Sequence, residues 1–208
     1  MNSRLNLFSN DTNAQMQYNI GMVVLKRLEL QMSLCQKTYV TLGGLIASAV
    51  LIPVYEVADE GYVVFTKRTQ LVDSHKGQIC FPGGRCHDGE MPCDTALRES
   101  WEEIGLRPAD ARMVGELDDS ITLFTDYLMT PFVAEIPFPY RFEVNTAEVE
   151  EIITVPVSAL LDDSNYTETT QIYRDEAYLA CTYRYGDHII WGATARILKQ
   201  MLDLLTKQ

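Results

Sequence analysis

The sequence predicts an α/β (α+β) fold in which a mixed β-sheet is sandwiched between helices. Three observations point there. The 208 residues suffice for one core-forming domain. Segments with strand character alternate with segments of helical period. No internal repeat divides the chain. A flexible leader is expected over 1–18, rich in Asn, Ser, Asp and Gln. A single domain is expected over 19–208.

Taken in order, Ile20, Val23, Val24, Leu28 and Leu34 place an amphipathic helix over 20–34. Gly43-Gly44 separates it from a strand over 45–54. The apolar run 42–55 around that strand is too short to span a bilayer. A turn at Asp59-Glu60-Gly61 leads to a strand over 62–66. A polar loop then ends in Phe81-Pro82-Gly83-Gly84, where two glycines allow close approach of a phosphate or metal. A helix is predicted over 92–104: Pro92 suits its first turn, Asp94 complements the dipole, and Gly105 suits the left-handed position past its end. Strands follow over 112–117, 128–136 and 150–155. A hairpin over 178–183 and 188–191 turns at Gly186-Asp187. The segment 192–207 carries Ala193, Ile197, Met201 and Leu204 on one face and reads as a core-covering helix.

Charge and cysteine content narrow the function. A net charge of −12 argues against nucleic-acid and anionic-membrane partners, which demand a basic face. An anionic small substrate stays open, because bound divalent ions invert the local field. The five cysteines are odd in number and form no C-x-x-C pair, as expected of reduced thiols in a cytoplasmic protein. The first seventeen residues show no apolar secretory core. A homodimer is left open.

The chemistry concentrates in Gly84–Leu106. Gly84, Glu90, Arg98, Glu99, Glu102, Glu103 and Gly105 fall at the spacing G-x5-E-x7-R-E-x-x-E-E-x-G. On a helix, Glu99, Glu102 and Glu103 share one face. Like charges so close destabilise a helix unless a cation sits against them, and a hard Mg²⁺ or Mn²⁺ suits oxygen ligands. The three glutamates are therefore the metal-ligand candidates. Arg98 can pair with Glu102 at i, i+4 or with Glu90 across the loop, fixing carboxylate orientation.

This spacing resembles the signature of the Nudix hydrolases, which cleave a nucleoside diphosphate linked to another group. Seven fixed positions match by chance at roughly one in 10⁸ per start site. One position departs: Ser100 follows the Arg-Glu pair where a small or aliphatic residue is usual. The resemblance implies the Nudix fold, dependence on Mg²⁺ or Mn²⁺, metal binding by Glu99, Glu102 and Glu103, and a supporting role for Glu90. It leaves the general base open between a box glutamate and a later one. Glu148, Glu150 and Glu151 are the later candidates, with Glu148 favoured. The catalytic candidates are thus Glu99, Glu102, Arg98 and Glu148.

The segment from Phe65 to Gly84 is similar to an extra motif of the coenzyme A pyrophosphatases within that superfamily. So are Gly115–Val133 and the tail IWGATARIL, Ile190–Leu198. The expected reaction converts coenzyme A or an acyl-coenzyme A to 3′,5′-ADP and (acyl-)4′-phosphopantetheine. Lys67, Arg68, His75, Lys76, Gly83 and Gly84 are the substrate-binding candidates. Thr69 stands where the motif has Ser or Ala, and Asp73 where it has a second arginine. Asp73 reverses a charge in a segment expected to meet an anion. It keeps open a Nudix pyrophosphatase of ADP-ribose or a dinucleotide. A non-catalytic nucleotide sensor of the same fold is a third reading.

Overall fold

In the computed structural model, residues 24–41, 43–71, 75–122, 125–173 and 175–207 are described. The expected leader, the first residues of the 20–34 helix and Asp73 lie outside them.

The long apolar run forms β1 (Ile46–Val57) at the centre of an eight-stranded mixed sheet. Both of its faces are covered, which is why its sequence reads as continuously apolar. Ala49, Leu51 and Tyr55 enter one core, and Val50, Ile52 and Val54 enter the other. A hairpin joins β1 to β2 (Glu60–Arg68). Its turn residues are Ala58 and Asp59, both at positive φ, one step earlier than the sequence suggested. The two-residue geometry keeps both strands in register and leaves Glu60 and Gly61 inside β2. Gly61 is needed there because a Cβ would meet the side chain of Val24 at 2.9 Å.

The two strands pair only near the hairpin, from Val54↔Val63 to Val57↔Glu60. Beyond that they splay. The short strand β3 (Ile79–Cys80) pairs with β2, and β4 (Gly83–Arg85) pairs with β1. Phe81 and Pro82 bridge the gap, with Phe81 stacked on Phe65 at 4.8 Å. This wedge seats the double glycine against β1 and opens the sheet at one end.

Helix α1 (Val24–Leu34) and a C-terminal helix cover one face, while α2 (Pro92–Ile104) covers the other. Helix α2 has the predicted bounds. Gly105 takes the left-handed conformation at its end, and the Leu106 N–H closes back on the Ser100 carbonyl. Ser100 is fully buried, and its hydroxyl donates to the Ala96 carbonyl at 2.7 Å, which satisfies it without disturbing the packing. After α2 come β5 (Arg112–Glu116), β6 (Ser120–Ile121) and β7 (Tyr127–Glu135). Strand β7 runs parallel to β1 from Ile46↔Tyr127 to Val54↔Glu135. Strand β8 (Val149–Pro156) closes on the outer edge of β2, and a one-turn helix α3 (Val157–Leu160) follows.

The expected hairpin belongs to a second, three-stranded antiparallel sheet: β9 (Tyr166–Tyr173), β10 (Glu176–Tyr185) and β11 (His188–Trp191). Strand β9 has a polar sequence with no apolar alternation, so no strand was expected there. Its pairing with β10 supplies what the side chains do not. Helix α4 (Gly192–Thr206) then packs Ile197, Leu198 and Met201 fully into the core shared with α1, β1 and β2. Each such side chain contributes about 1.5–3 kcal/mol through burial. No helix among the described residues is long and apolar enough to cross a membrane.

Candidate active site

The splay between β1 and β2 opens into a cavity of about 810 Å³. One end is lined by Arg68 from β2, Gly83 and Gly84 from β4, Glu99 and Glu103 from α2, and Glu148 just before β8. The geometry explains both glycines. A Cβ on Gly84 would lie 2.5 Å from the Glu99 carboxylate, and one on Gly83 would collide with the Ala49 carbonyl. The loop therefore lies flat against the helix only without side chains.

Glu103 is 2 % exposed. Its Oε2 has no hydrogen-bond partner, and its Oε1 lies 3.6 Å from Arg68 Nη1. Burial, reinforced by the charges of Glu99 and Glu148, pushes its carboxyl up to about 8. Arg68 and the Gly83 N–H oppose that rise without cancelling it. A buried carboxylate with one orphaned oxygen and two carboxylates nearby is poised for a cation. Hard oxygen donors of this kind suit Mg²⁺ or Mn²⁺. No three Asp, Glu, His or Cys side chains among the described residues already stand close enough to enclose an ion.

Arg98 organises the helix face. Its Nε and Nη2 grip Glu90 at 2.8 and 3.0 Å, and its Nη1 reaches Glu99 at 2.7 Å and Glu102 at 3.0 Å. Nη2 also donates to the Arg85 carbonyl at 3.3 Å, tying the helix to β4. The Arg98 guanidinium and the His87 N–H hold the Glu90 carboxyl down at about 2. Both pairings foreseen for Arg98 thus occur together.

The other sequence candidates divide. Glu102, expected on the same face as Glu99 and Glu103, is half-exposed and turned toward Arg98, and it does not line the cavity. The i, i+4 pair Glu99 and Glu103 faces inward, while the i+3 position is drawn aside by the guanidinium. Of the three later glutamates, Glu148 lines the cavity and accepts from Asn145 Nδ2 at 3.2 Å. Glu150 pairs with Lys67 at 2.8 Å on an outer surface, and Glu151 is exposed. Lys67 and Lys76 lie outside the cavity lining. His75 lines it, with its Nδ1 2.8 Å from Gln78 Oε1. Cys80 beside Glu103 shares a contact with Thr66 and is pushed by burial to about 11, an unreactive thiol.

The NUDIX domain family matches residues 45–175. The chain belongs to the Nudix hydrolases. Nudix hydrolase 3 of Caenorhabditis elegans is 32% identical over 176 residues, covering 76% of this chain and 73% of that one. An uncharacterized Nudix hydrolase, NudL of Photorhabdus laumondii, is 33% identical over 155 residues, covering 74% and 82%. In fold, a MutT/nudix family protein of Enterococcus faecalis superposes with a TM-score of 0.53 at 13% identity, covering 96% of this chain and 82% of that one. The Nudix box is thus the segment Gly84–Gly105, and Gly84 and Gly105 are its two closely packed ends.

Sequence reasoning missed the opposite end of the cavity. Tyr178, Thr182, Trp191, Thr194 and Arg196 line it from β10, β11 and α4. The tail Ile190–Leu198 carries a family resemblance, but nothing in its spacing shows that it lines the same cavity as the Nudix box.

Proposed function

We propose that this Nudix hydrolase cleaves the pyrophosphate of coenzyme A or an acyl-coenzyme A, releasing 3′,5′-ADP and (acyl-)4′-phosphopantetheine. The observation that carries the reading is the orphaned, buried Glu103 carboxylate facing the same cavity as Glu99 and Glu148. Support for the substrate comes from the coenzyme A-type segment, whose Arg68, His75, Gly83 and Gly84 line that cavity. A bound Mg²⁺ or Mn²⁺, held by Glu99, Glu103 and a reoriented Glu102, would neutralise phosphate charge and acidify water.

The protein's own groups do the rest. Arg98 fixes Glu99 and Glu90 so that the helix face keeps one arrangement. Glu148 takes the proton of the attacking water. The new P–O bond forms in line as the bridging P–O bond breaks, and the departing group leaves as a phosphate monoester. The flat Gly83-Gly84 backbone gives the pyrophosphate its closest approach to the helix.

A second reading has one feature in its favour. Asp73 replaces a cation expected in the coenzyme A segment, which suits ADP-ribose or a dinucleotide instead. Product analysis by mass spectrometry separates the two. With Mg²⁺ or Mn²⁺, release of 3′,5′-ADP and 4′-phosphopantetheine, abolished by chelator, is the expected result. Turnover of ADP-ribose or a dinucleotide alone would overturn the coenzyme A assignment.

A further inference from the structure

The far wall of the cavity has a chemistry of its own. Gly192, Ala193 and Thr194 begin α4 there, and Arg196 follows within the first turns; all four line the cavity. Gly192 takes a φ of 67°, turning the chain out of β11 into the helix. No side chain caps the start of α4, a helix of fifteen residues. Its first amides and the positive end of its dipole therefore remain to be satisfied from the cavity.

Two side chains point the same way. Thr194 is 8 % exposed, and its hydroxyl has no hydrogen-bond partner among the described residues. Arg196 is partly buried, and its Nη2 donates to the Ile121 carbonyl at 2.6 Å. No carboxylate among the described residues pairs with it. Burial lowers its pKa, and no carboxylate is among the groups that oppose this. A partly desolvated guanidinium with no carboxylate paired to it among the described residues is suited to an anionic partner. Amides, a hydroxyl and a guanidinium are all donors, and together they match the oxygens of a phosphate monoester.

We propose that the start of α4, with Thr194 and Arg196, is a second anion subsite that binds a phosphate monoester carried by the substrate away from the scissile pyrophosphate. The assignment of that group as the 3′-phosphate of coenzyme A rests on the function proposed above. The subsite shares the cavity with Glu99 and Glu103 but uses none of the box residues.

Calorimetry on the full chain with Mg²⁺ tests it, using 3′,5′-ADP and 5′-AMP, which differ only in that phosphate. The 3′,5′-ADP should bind about tenfold or more tightly. Arg196→Gln and Thr194→Val should close the gap, and Arg196→Lys should keep part of it. In turnover, Arg196→Gln should raise KM for coenzyme A about tenfold more than KM for dephospho-coenzyme A. Should Arg196→Gln misfold, the wild-type binding ratio and Thr194→Val still decide. Equal binding of the two nucleotides by the wild type, or equal effects of the variants on both, would overturn the subsite. Failure of coenzyme A as a substrate would instead remove the proposed reaction. The nucleotide binding ratio would then still judge the subsite independently.

Discussion

At one end of the cavity a single helix delivers Arg98, Glu99 and Glu103 within six consecutive residues, steered by Glu90 and a flat pair of glycines. At the other end Tyr178, Trp191, Thr194 and Arg196 arrive from two strands and a helix of a different part of the chain. The first end is rich in carboxylates and needs a cation. The second is rich in hydrogen-bond donors, and among the described residues no carboxylate pairs with its arginine. A phosphorylated nucleotide with a metal supplies both, so the two ends impose different demands on one ligand. In the proposed reading the first governs whether the bond breaks, and the second governs which molecule is held.

That division can be broken most severely at the carboxylates. Glu99→Gln, Glu102→Gln and Glu103→Gln should each lower kcat/KM by about 10²-fold or more, with folding intact by circular dichroism. Glu102 is the informative member, because it pairs with Arg98 and stands off the cavity lining. Wild-type turnover in Glu102→Gln would confine the metal ligands to the inward-facing pair.

The next effect lies in the residues that position those carboxylates. Arg98→Gln should cost roughly 10–100-fold in kcat, with Arg98→Lys recovering only part, since an ammonium cannot grip Glu90 with two parallel bonds. Gly84→Ala should act on the same geometry by a different route. Its methyl would press on the Glu99 carboxylate at 2.5 Å, so activity should drop by about tenfold with little change in Tm. Normal activity in Gly84→Ala would mean that Glu99 can move without consequence.

The contrast between the ends also accounts for what could be read beforehand. The box was legible because its geometry is local: spacing on one helix fixes which side chains are neighbours. The bounds of α2 and the two pairings of Arg98 followed from that. Spacing groups Glu102 with Glu99 and Glu103 but does not express the competition between a cavity and an adjacent guanidinium, which turns Glu102 toward Arg98. Strand β9 was invisible because its Thr-rich, polar sequence lacks alternation, and its order comes from β10. Arg196 was missed because its role depends on β11 and α4 folding back across the splayed strands. Lys67 and Lys76 were named as cations within the coenzyme A-like segment, and neither motif nor charge says which side of a strand or loop faces the cavity.

The smallest expected effects are in stability, and two glutamates of the box should show opposite signs. Glu103 faces Arg68 from β2, Cys80 from β3, the Gly83 amide from β4, Glu99 on its own helix and Glu148. Its folded-state pKa of about 8 lies above the ordinary glutamate value, so the folded protein holds the proton longer than the unfolded chain. Its contribution to stability therefore falls as pH rises from about 4.3 toward 8. Glu90, held at about 2, behaves in reverse: its contribution is present above about 4.3 and is lost as pH falls toward 2. Thermal unfolding in chelator from pH 3 to 9 resolves both. Glu103→Gln should gain on wild type by a few degrees as pH rises, while Glu90→Gln should lose near neutrality and converge with wild type in acid. Adding Mn²⁺ should reverse the first difference, because a cation favours the ionised Glu103 that the glutamine lacks. Parallel pH profiles for the two variants would show that the buried and the arginine-bound carboxylate do not differ as their surroundings require.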